Sequence, residues 1–281
     1  METKENNFTQ DEIEMIKTAD DKDYLYGEDG FMYLCRKIII DRAENKINKG
    51  YFKAYKYKDS LRFLVFMTNT PDEQAVNWIA DEINKYIDNN TAKDTIMLRY
   101  AQVNGFSDVL LDKFENYTNL YRYYHHFINR NDINIDSVDM KGLEKRRCTE
   151  DMIDSCIEIM EEVFTPFPDP PGSFRQDSKR IKREYMSSEK GGAELFYKDN
   201  VLIGFCGHHC GHFTEVCICN EHQGKGYGEV IVRSTLQSVY ELGYNAELYT
   251  RYDNARAIRL YEKVGFKKSY EAVRVNLIRN Q

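Results

Sequence analysis

The chain has 281 residues, 42% apolar and 30% charged, with 5 Pro and 16 Gly, a balance that excludes whole-chain disorder and collagen-like repeats and suggests about two domains. Its net charge of -7 argues against a general nucleic-acid binder, which carries a basic excess. The longest apolar run, Phe63–Met67, falls far short of the roughly 20 residues a membrane-spanning helix needs. The polar start, Met1 to Asn7, does not read as a signal peptide, so the seven Cys are expected to be reduced thiols of a cytoplasmic protein.

In chain order, Leu34–Asn48 has apolar residues at helical spacing with Gly50 as a stop, and predicts a helix. Phe52–Tyr57 and Leu61–Met67 alternate and predict a hairpin over Lys58, Asp59 and Ser60. Pro71, Asp72 and Glu73 suit the first turn of a helix running to about Ile87. Thr95–Gln102 predicts a strand, punctuated by Asn104 and Gly105. Tyr117–Phe127, dense in aromatics, predicts a strand or a buried helix, with His125 and His126 at the surface or boundary. The polar stretch Asn131–Lys145 predicts a linker. Charge also divides the chain near 140: residues 1–140 hold 18 Lys or Arg and 25 Asp or Glu, and residues 141–281 hold 21 of each.

The second half opens with a helix, Thr149–Val163, capped by Thr149. Four of the five Pro fall within Phe164–Gly172, which predicts an irregular loop. A helix over Ser178–Met186 follows, then a hairpin of Glu194–Lys198 and Val201–Cys210 over Asp199 and Asn200. Phe213–Cys219 is a strand, Gly228–Leu242 a helix closed by Gly243, and Ala246–Thr250 a strand. Asn254–Val264 is a helix ended by Gly265, and Val273–Ile278 a last strand. Both halves can be written helix, hairpin, helix, strand, helix, strand, which suggests a duplication.

The sharpest local feature is Gln223-Gly224-Lys225-Gly226-Tyr227-Gly228, between a strand and a helix. Glycines at alternate positions allow tight turns that aim several N–H groups at one spot, and the following helix adds its positive end, so the segment suits a phosphate. Cys219 and Gly226 stand where a P-loop needs Gly and Ser or Thr. Glu229 stands where a dinucleotide fingerprint needs its last Gly. Further on, Asn254 and Tyr261 lie seven apart and share one helix face, with Arg256, Arg259 and Lys263 on the same helix.

Gln-x-x-Gly-x-Gly after a strand, then Asn-x-x-Ala-x-x-x-Tyr-x-x-x-Gly-Phe, resembles the acetyl-CoA site of the GNAT superfamily of N-acetyltransferases over about Leu202 to Lys267. The resemblance implies a mixed α/β fold, a mostly antiparallel central sheet flanked by helices, with two such domains in tandem: a degenerate or other α/β domain at 1–140 and an acetyltransferase domain at 141–281. It implies acetyl-CoA as co-substrate and an amine-bearing small molecule or peptide as acceptor. Val216 and Ile218 would lie on the strand that pairs with the pantetheine arm. Gln223, Gly224, Lys225, Gly226, Tyr227 and Gly228 would hold the pyrophosphate, and Asn254 would wall the cofactor. Tyr261 would hydrogen-bond the thioester sulfur and act as general acid. Cys219 and Asn220 depart mildly from the pattern, where many members have an apolar residue or His and then Pro.

The base is left open between Glu215, His212 and water. Phe164, Phe167, Phe174 and Arg175, in and after the Pro-rich loop, are candidate acceptor contacts. Cys206, His208, His209, Cys210, His212, Cys217 and Cys219 include zinc-ligand types, but their Cys-x3-Cys and Cys-x-Cys spacings are not the usual knuckle, so they read as core and no metal is expected. In the first half Thr70-Pro71-Asp72-Glu73-Gln74 offers two carboxylates where a cradle would be. That half would lack the cofactor and would wall the acceptor site or dimerise. A non-catalytic protein sensing CoA or another metabolite is the alternative reading.

Overall fold

The computed structural model describes residues 31–43, 46–57, 60–67, 73–89, 95–102, 108–114, 116–133, 135, 137–165, 173–187 and 189–278. They fall into two compact units. One holds the described residues up to Tyr124 and those from Ser269 onward, and the other is His125–Lys268. The last strand therefore returns to the first unit, and the charge break near 140 lies inside the second.

In the first unit β1 (Phe31–Ala43), β2 (Lys46–Tyr57) and β3 (Ser60–Met67) form an antiparallel meander. The helix expected over Leu34–Asn48 is instead most of β1 and the start of β2. The β-branched run Ile38-Ile39-Ile40 suits a pleated strand, and its backbone pairs with Tyr51, Gly50 and Lys49 of β2. Helical spacing in a short apolar run is overridden by this non-local ladder. Gly50 stops nothing, because it is paired on both sides. Helix α1 (Glu73–Asp88) matches its expected span and buries Ala75, Val76, Ile79, Ala80 and Ile83 against Phe52, Phe63 and Leu98. β4 (Thr95–Gln102) lies parallel to β3 over its whole length, Ser60↔Thr95 to Met67↔Gln102. Its other edge pairs antiparallel with β11 (Lys267–Leu277), through Ile96↔Leu277 to Gln102↔Glu271. β5 (Tyr117–Ile128), the strand alternative of the two predicted, passes from the first unit into the second.

In the second unit β6 (Glu144–Arg147), α2 (Ile153–Phe164), α3 (Ser173–Gln176) and α4 (Ser178–Tyr185) precede another antiparallel meander: β7 (Gly191–Lys198), β8 (Val201–His209) and β9 (His212–Ile218). The hairpin turns are Asp199-Asn200 and Cys210-Gly211, all four at positive φ, as tight two-residue hairpins require. Helix α5 (Tyr227–Glu241), strand β10 (Ala246–Arg251) and helix α6 (Ala255–Val264) complete the unit. Three local expectations are corrected. Thr149 makes no side-chain cap; its carbonyl accepts from the Met152 N–H (2.9 Å) in a 3-10 turn, and the α-helix starts at Ile153. The stretch expected as a linker packs Ile133, Ile135, Val138 and Met140, half-buried, against the core and ends in β6, because its apolar residues, though sparse, have a surface to cover. The final strand starts at Lys267, not Val273.

The second unit packs two cores. Phe205 and Cys217 join Cys156, Met160, Ile181 and Tyr185 of α2 and α4. Cys206 joins Val232 and Leu236 of α5 and Tyr261 and Val264 of α6. Strand alternation explains why neighbours Phe205 and Cys206 serve opposite faces. One succession occurs twice: three antiparallel strands, a helix, then a parallel strand, as β1-β2-β3-α1-β4 and as β7-β8-β9-α5-β10. Among the described residues no helix is long and apolar enough to cross a membrane.

Candidate active site

The parallel pair differs between the two copies of that succession. β3 and β4 are paired at eight successive positions. β9 and β10 share one, His212↔Glu247, and beyond it they part. A cavity of about 590 Å3 lies on the open side, with Val216 and Ile218 of β9 on one wall and Ala257, Leu260 and Tyr261 of α6, with Asn254 just before it, on another.

The glycine turn forms its mouth. Gln223 Nε2 donates to the Ile218 carbonyl (3.0 Å) and to Asn220 Oδ1 (2.9 Å), and its Oε1 accepts from Arg256 (2.7 Å), which ties the turn to β9 and α6. Gly224 and Gly226 have φ of +79° and +80°, a region that penalises any side chain. Gly228 lets α5 approach α6, since a Cβ there would stand 3.2 Å from Leu260 Cδ2. The first N–H groups of α5 have no partner within the helix and carry its positive end. Glu229 in that first turn would repel an anion. Its carboxylate is bound by Lys263 (2.6 Å) and Arg233 (3.2 Å), Lys263 foremost holding it below the usual carboxylate range. Lys225 sits on the turn but is not among the cavity-lining residues. Tyr227 lines the cavity, and its Oη accepts from Lys198 (3.2 Å).

Asn254 caps α6, its side chain accepting from the Ala257 N–H (3.1 Å). Tyr261, two turns on, is 8% exposed between the rings of Phe266 (5.9 Å) and His126 (6.0 Å). Burial foremost, then Cys206 and Cys217, pushes its phenol far above the ordinary value. His126 and His125, expected at the surface or boundary, are buried at 0% and 3%, a correction. His125 meets Glu247 at 3.1 Å, and β5 carries both residues into the interior of the second unit.

Glu215 lies on the other face of β9 from Val216 and Ile218. It is buried, accepts from Tyr185 Oη (2.8 Å) and stands 3.9 Å from Arg180. Arg180 also donates to Glu184 (2.8 Å), whose carboxyl is pushed up to about 7, chiefly by burial. The Arg180–Glu184 pair has the i,i+4 spacing of a helix pair and was readable in sequence. Its meeting with Glu215 was not. His212 stands at the closed end of the wedge, 3.6 Å from Glu247. Phe164 lines the cavity and packs on Phe174 at 5.5 Å. Arg175 pairs with Glu161 (3.2 Å) and Glu158 (3.7 Å). Phe167 and Thr70 to Asp72 lie outside the described residues. Burial pushes the Cys219 thiol up to about 11, which disfavours the thiolate form that a nucleophile needs. Among the described residues no three His, Cys, Asp or Glu gather to hold a metal ion.

Residues 200–275 match the family model described as FR47-like protein. A GCN5-related N-acetyltransferase from Kribbella flavida aligns at TM-score 0.58 and 14% identity, covering 95% of this chain and 95% of its own. One from Sphaerobacter thermophilus aligns at TM-score 0.55 and 16% identity, covering 81% of this chain and 76% of its own. The C-terminal part of the chain has the GNAT fold. A tandem GNAT protein from the clavulanic acid biosynthesis pathway also aligns, at TM-score 0.56 and 10% identity over 91% of this chain and 86% of its own. No curated protein matches the sequence. In the GNAT unit the parting of β9 and β10 is the wedge, α5 follows the glycine turn, and α6 carries Tyr261.

Proposed function

We propose that the protein is an acetyl-CoA-dependent N-acetyltransferase in which a primary amine of a small molecule or peptide attacks the thioester directly. The observation that carries this reading is one cavity joining the open edge of β9, the left-handed glycine turn at the start of α5, and the buried phenol of α6.

These residues fit the group. Val216 and Ile218 offer a strand edge for the pantetheine arm. The amides of Gln223–Gly228 offer a cradle for the pyrophosphate, with Lys225 lending charge, and Asn254 and Tyr227 close the walls. Bound acetyl-CoA supplies an acyl carbonyl activated as a thioester. Tyr261 keeps its proton across the neutral range. Because its phenol is harder to ionise than a thiol of pKa near 8.5, it serves the leaving sulfur as a hydrogen-bond donor more than as a source of a fully transferred proton. The attacking amine, of pKa about 10, must lose a proton. Glu215, or a water beside it, is the proposed base, and the place of His212 at the closed end of the wedge supports that choice. The first unit, whose β3 and β4 are paired throughout, is proposed as a degenerate GNAT-like domain without a cofactor site.

The test is CoA-thiol release from acetyl-CoA across a panel of small amines and lysine-containing peptides. At least one amine is expected to raise the rate clearly above slow hydrolysis, with an acetylated amine as product. Bound acetyl-CoA turned over by no amine would favour a sensor and overturn the catalytic reading.

A further inference from the structure

A second cavity, of about 350 Å3, shares no lining residue with the first. Lys145 and Arg147 line it from β6, Gly191 and Glu194 from β7, His208 from β8 and Glu241 from the end of α5. It exists because β6 stops at Arg147 while β7 runs on. Arg147 Nη2 replaces the missing strand, donating to the carbonyls of Ser187 and Gly191, both at 2.6 Å. The rest of the guanidinium, Nη1 and Nε, has no hydrogen-bond partner among the described residues. Gly191 must be glycine, since a Cβ there would collide with the His208 carbonyl, and its φ is +142°.

The walls carry both signs of charge. Lys145 Nζ donates to Ser238 Oγ (2.9 Å) and stands 3.4 Å from Glu194 Oε1, while Glu194 Oε2 is buried without a hydrogen-bond partner among the described residues. His208 is buried, its Nδ1 without a hydrogen-bond partner among the described residues. Burial foremost, then Arg147, His209 and Lys145, pushes it down to about 4, so at neutral pH it is an uncharged donor or acceptor. Glu241 adds a carboxylate where the negative end of the α5 dipole already favours cations. A free anion in this cavity would face Glu194 and Glu241, and a free cation would face Lys145 and Arg147. A molecule carrying both charges meets a partner at each end.

We infer that this cavity binds a small zwitterion of the α-amino-acid class, its carboxylate on Arg147 and Lys145 and its ammonium toward Glu241. The inference does not depend on the proposed acetyl transfer. The volume suits one amino acid with its side chain. Helix α5 belongs to both cavities, Tyr227 at its start to the first and Glu241 at its end to the second.

The experiment is thermal unfolding of the full chain with each standard α-amino acid at about 10 mM, with putrescine and succinate as probes of a single sign. One or a few amino acids should raise Tm by about 2 °C or more, neither single-sign probe should match them, and Glu241→Gln and Arg147→Gln should each abolish the rise. If Arg147→Gln does not fold, Glu241→Gln and Lys145→Gln decide. No rise with any amino acid, or a rise that survives these substitutions, overturns the inference. A surviving rise would place the amino acid elsewhere, as an acceptor in the first cavity would be.

Discussion

Tyr261 concentrates the chemistry proposed for the second unit. Its ring is packed by His126 and Phe266, so a phenylalanine can take its place without a void. Tyr261→Phe is predicted to lower turnover roughly 10²-fold, the scale of one lost proton-donating contact, while acetyl-CoA affinity stays near normal. Steady-state kinetics with calorimetric titration separates the two, and unchanged turnover would remove Tyr261 from its role. Glu184 gives a pH test. Its carboxyl, raised to about 7 in the fold, is bound to a proton there at pH values where the unfolded chain has released it. Its contribution is therefore intact below about 4.5 and is lost as pH rises toward about 7. Relative to the parent protein, Glu184→Gln should gain stability between pH 5 and pH 8, read as a rising difference in urea midpoint. A constant difference would contradict the burial assigned to this carboxyl. Tyr261, Asn254 and the glycines were legible because each belongs to a short pattern whose spacing has a geometric meaning. His126 was not, since 135 residues separate it from Tyr261 and no local pattern links them.

At the scale of elements, the glycine turn and the open edge of β9, which β8 supports, carry the site. Gly226→Val forces a β-branched residue into φ near +80°, at a cost of about 1–2 kcal/mol, and turns the cradle amides away. Acetyl-CoA affinity should fall at least about tenfold in a protein that still folds; equal affinity in a titration would show that the turn does not hold the cofactor. Gly204→Ala would push a Cβ into the Cys217 carbonyl, where β8 supports β9. It should destabilise the protein by about 1–3 kcal/mol, measured by denaturant unfolding, and a neutral result would contradict the close β8–β9 approach. Most elements were readable from period and punctuation, as the hairpin over Asp199 and Asn200 shows. Leu34–Asn48 was not, because the same apolar residues satisfy a helical period, and only pairing with β2, a tertiary fact, settles the matter. Ile133 to Met140 reads as a linker for a related reason: a few apolar residues among charges reveal nothing of the surface they cover.

At the scale of the whole molecule, one succession of elements serves two ends. Where the parallel strands stay paired, as β3 and β4 do, the sheet is closed; where they part after one pair, as β9 and β10 do, a wedge opens. The sequence hints at this division, since all of the net charge of -7 falls in the half without a glycine cradle, but the number of paired residues is a property of the folded sheet. The return of β11 to β4 was likewise invisible, because a strand's sequence does not name its partner. The central claim is that the second unit binds acetyl-CoA in the wedge, and the most direct measurement is thermal unfolding with and without the cofactor. At about 100 times its Kd, acetyl-CoA should stabilise the protein by about 2.7 kcal/mol, with the rise in Tm lost in Gly226→Val. No rise at millimolar acetyl-CoA, or an equal rise in Gly226→Val, would contradict it.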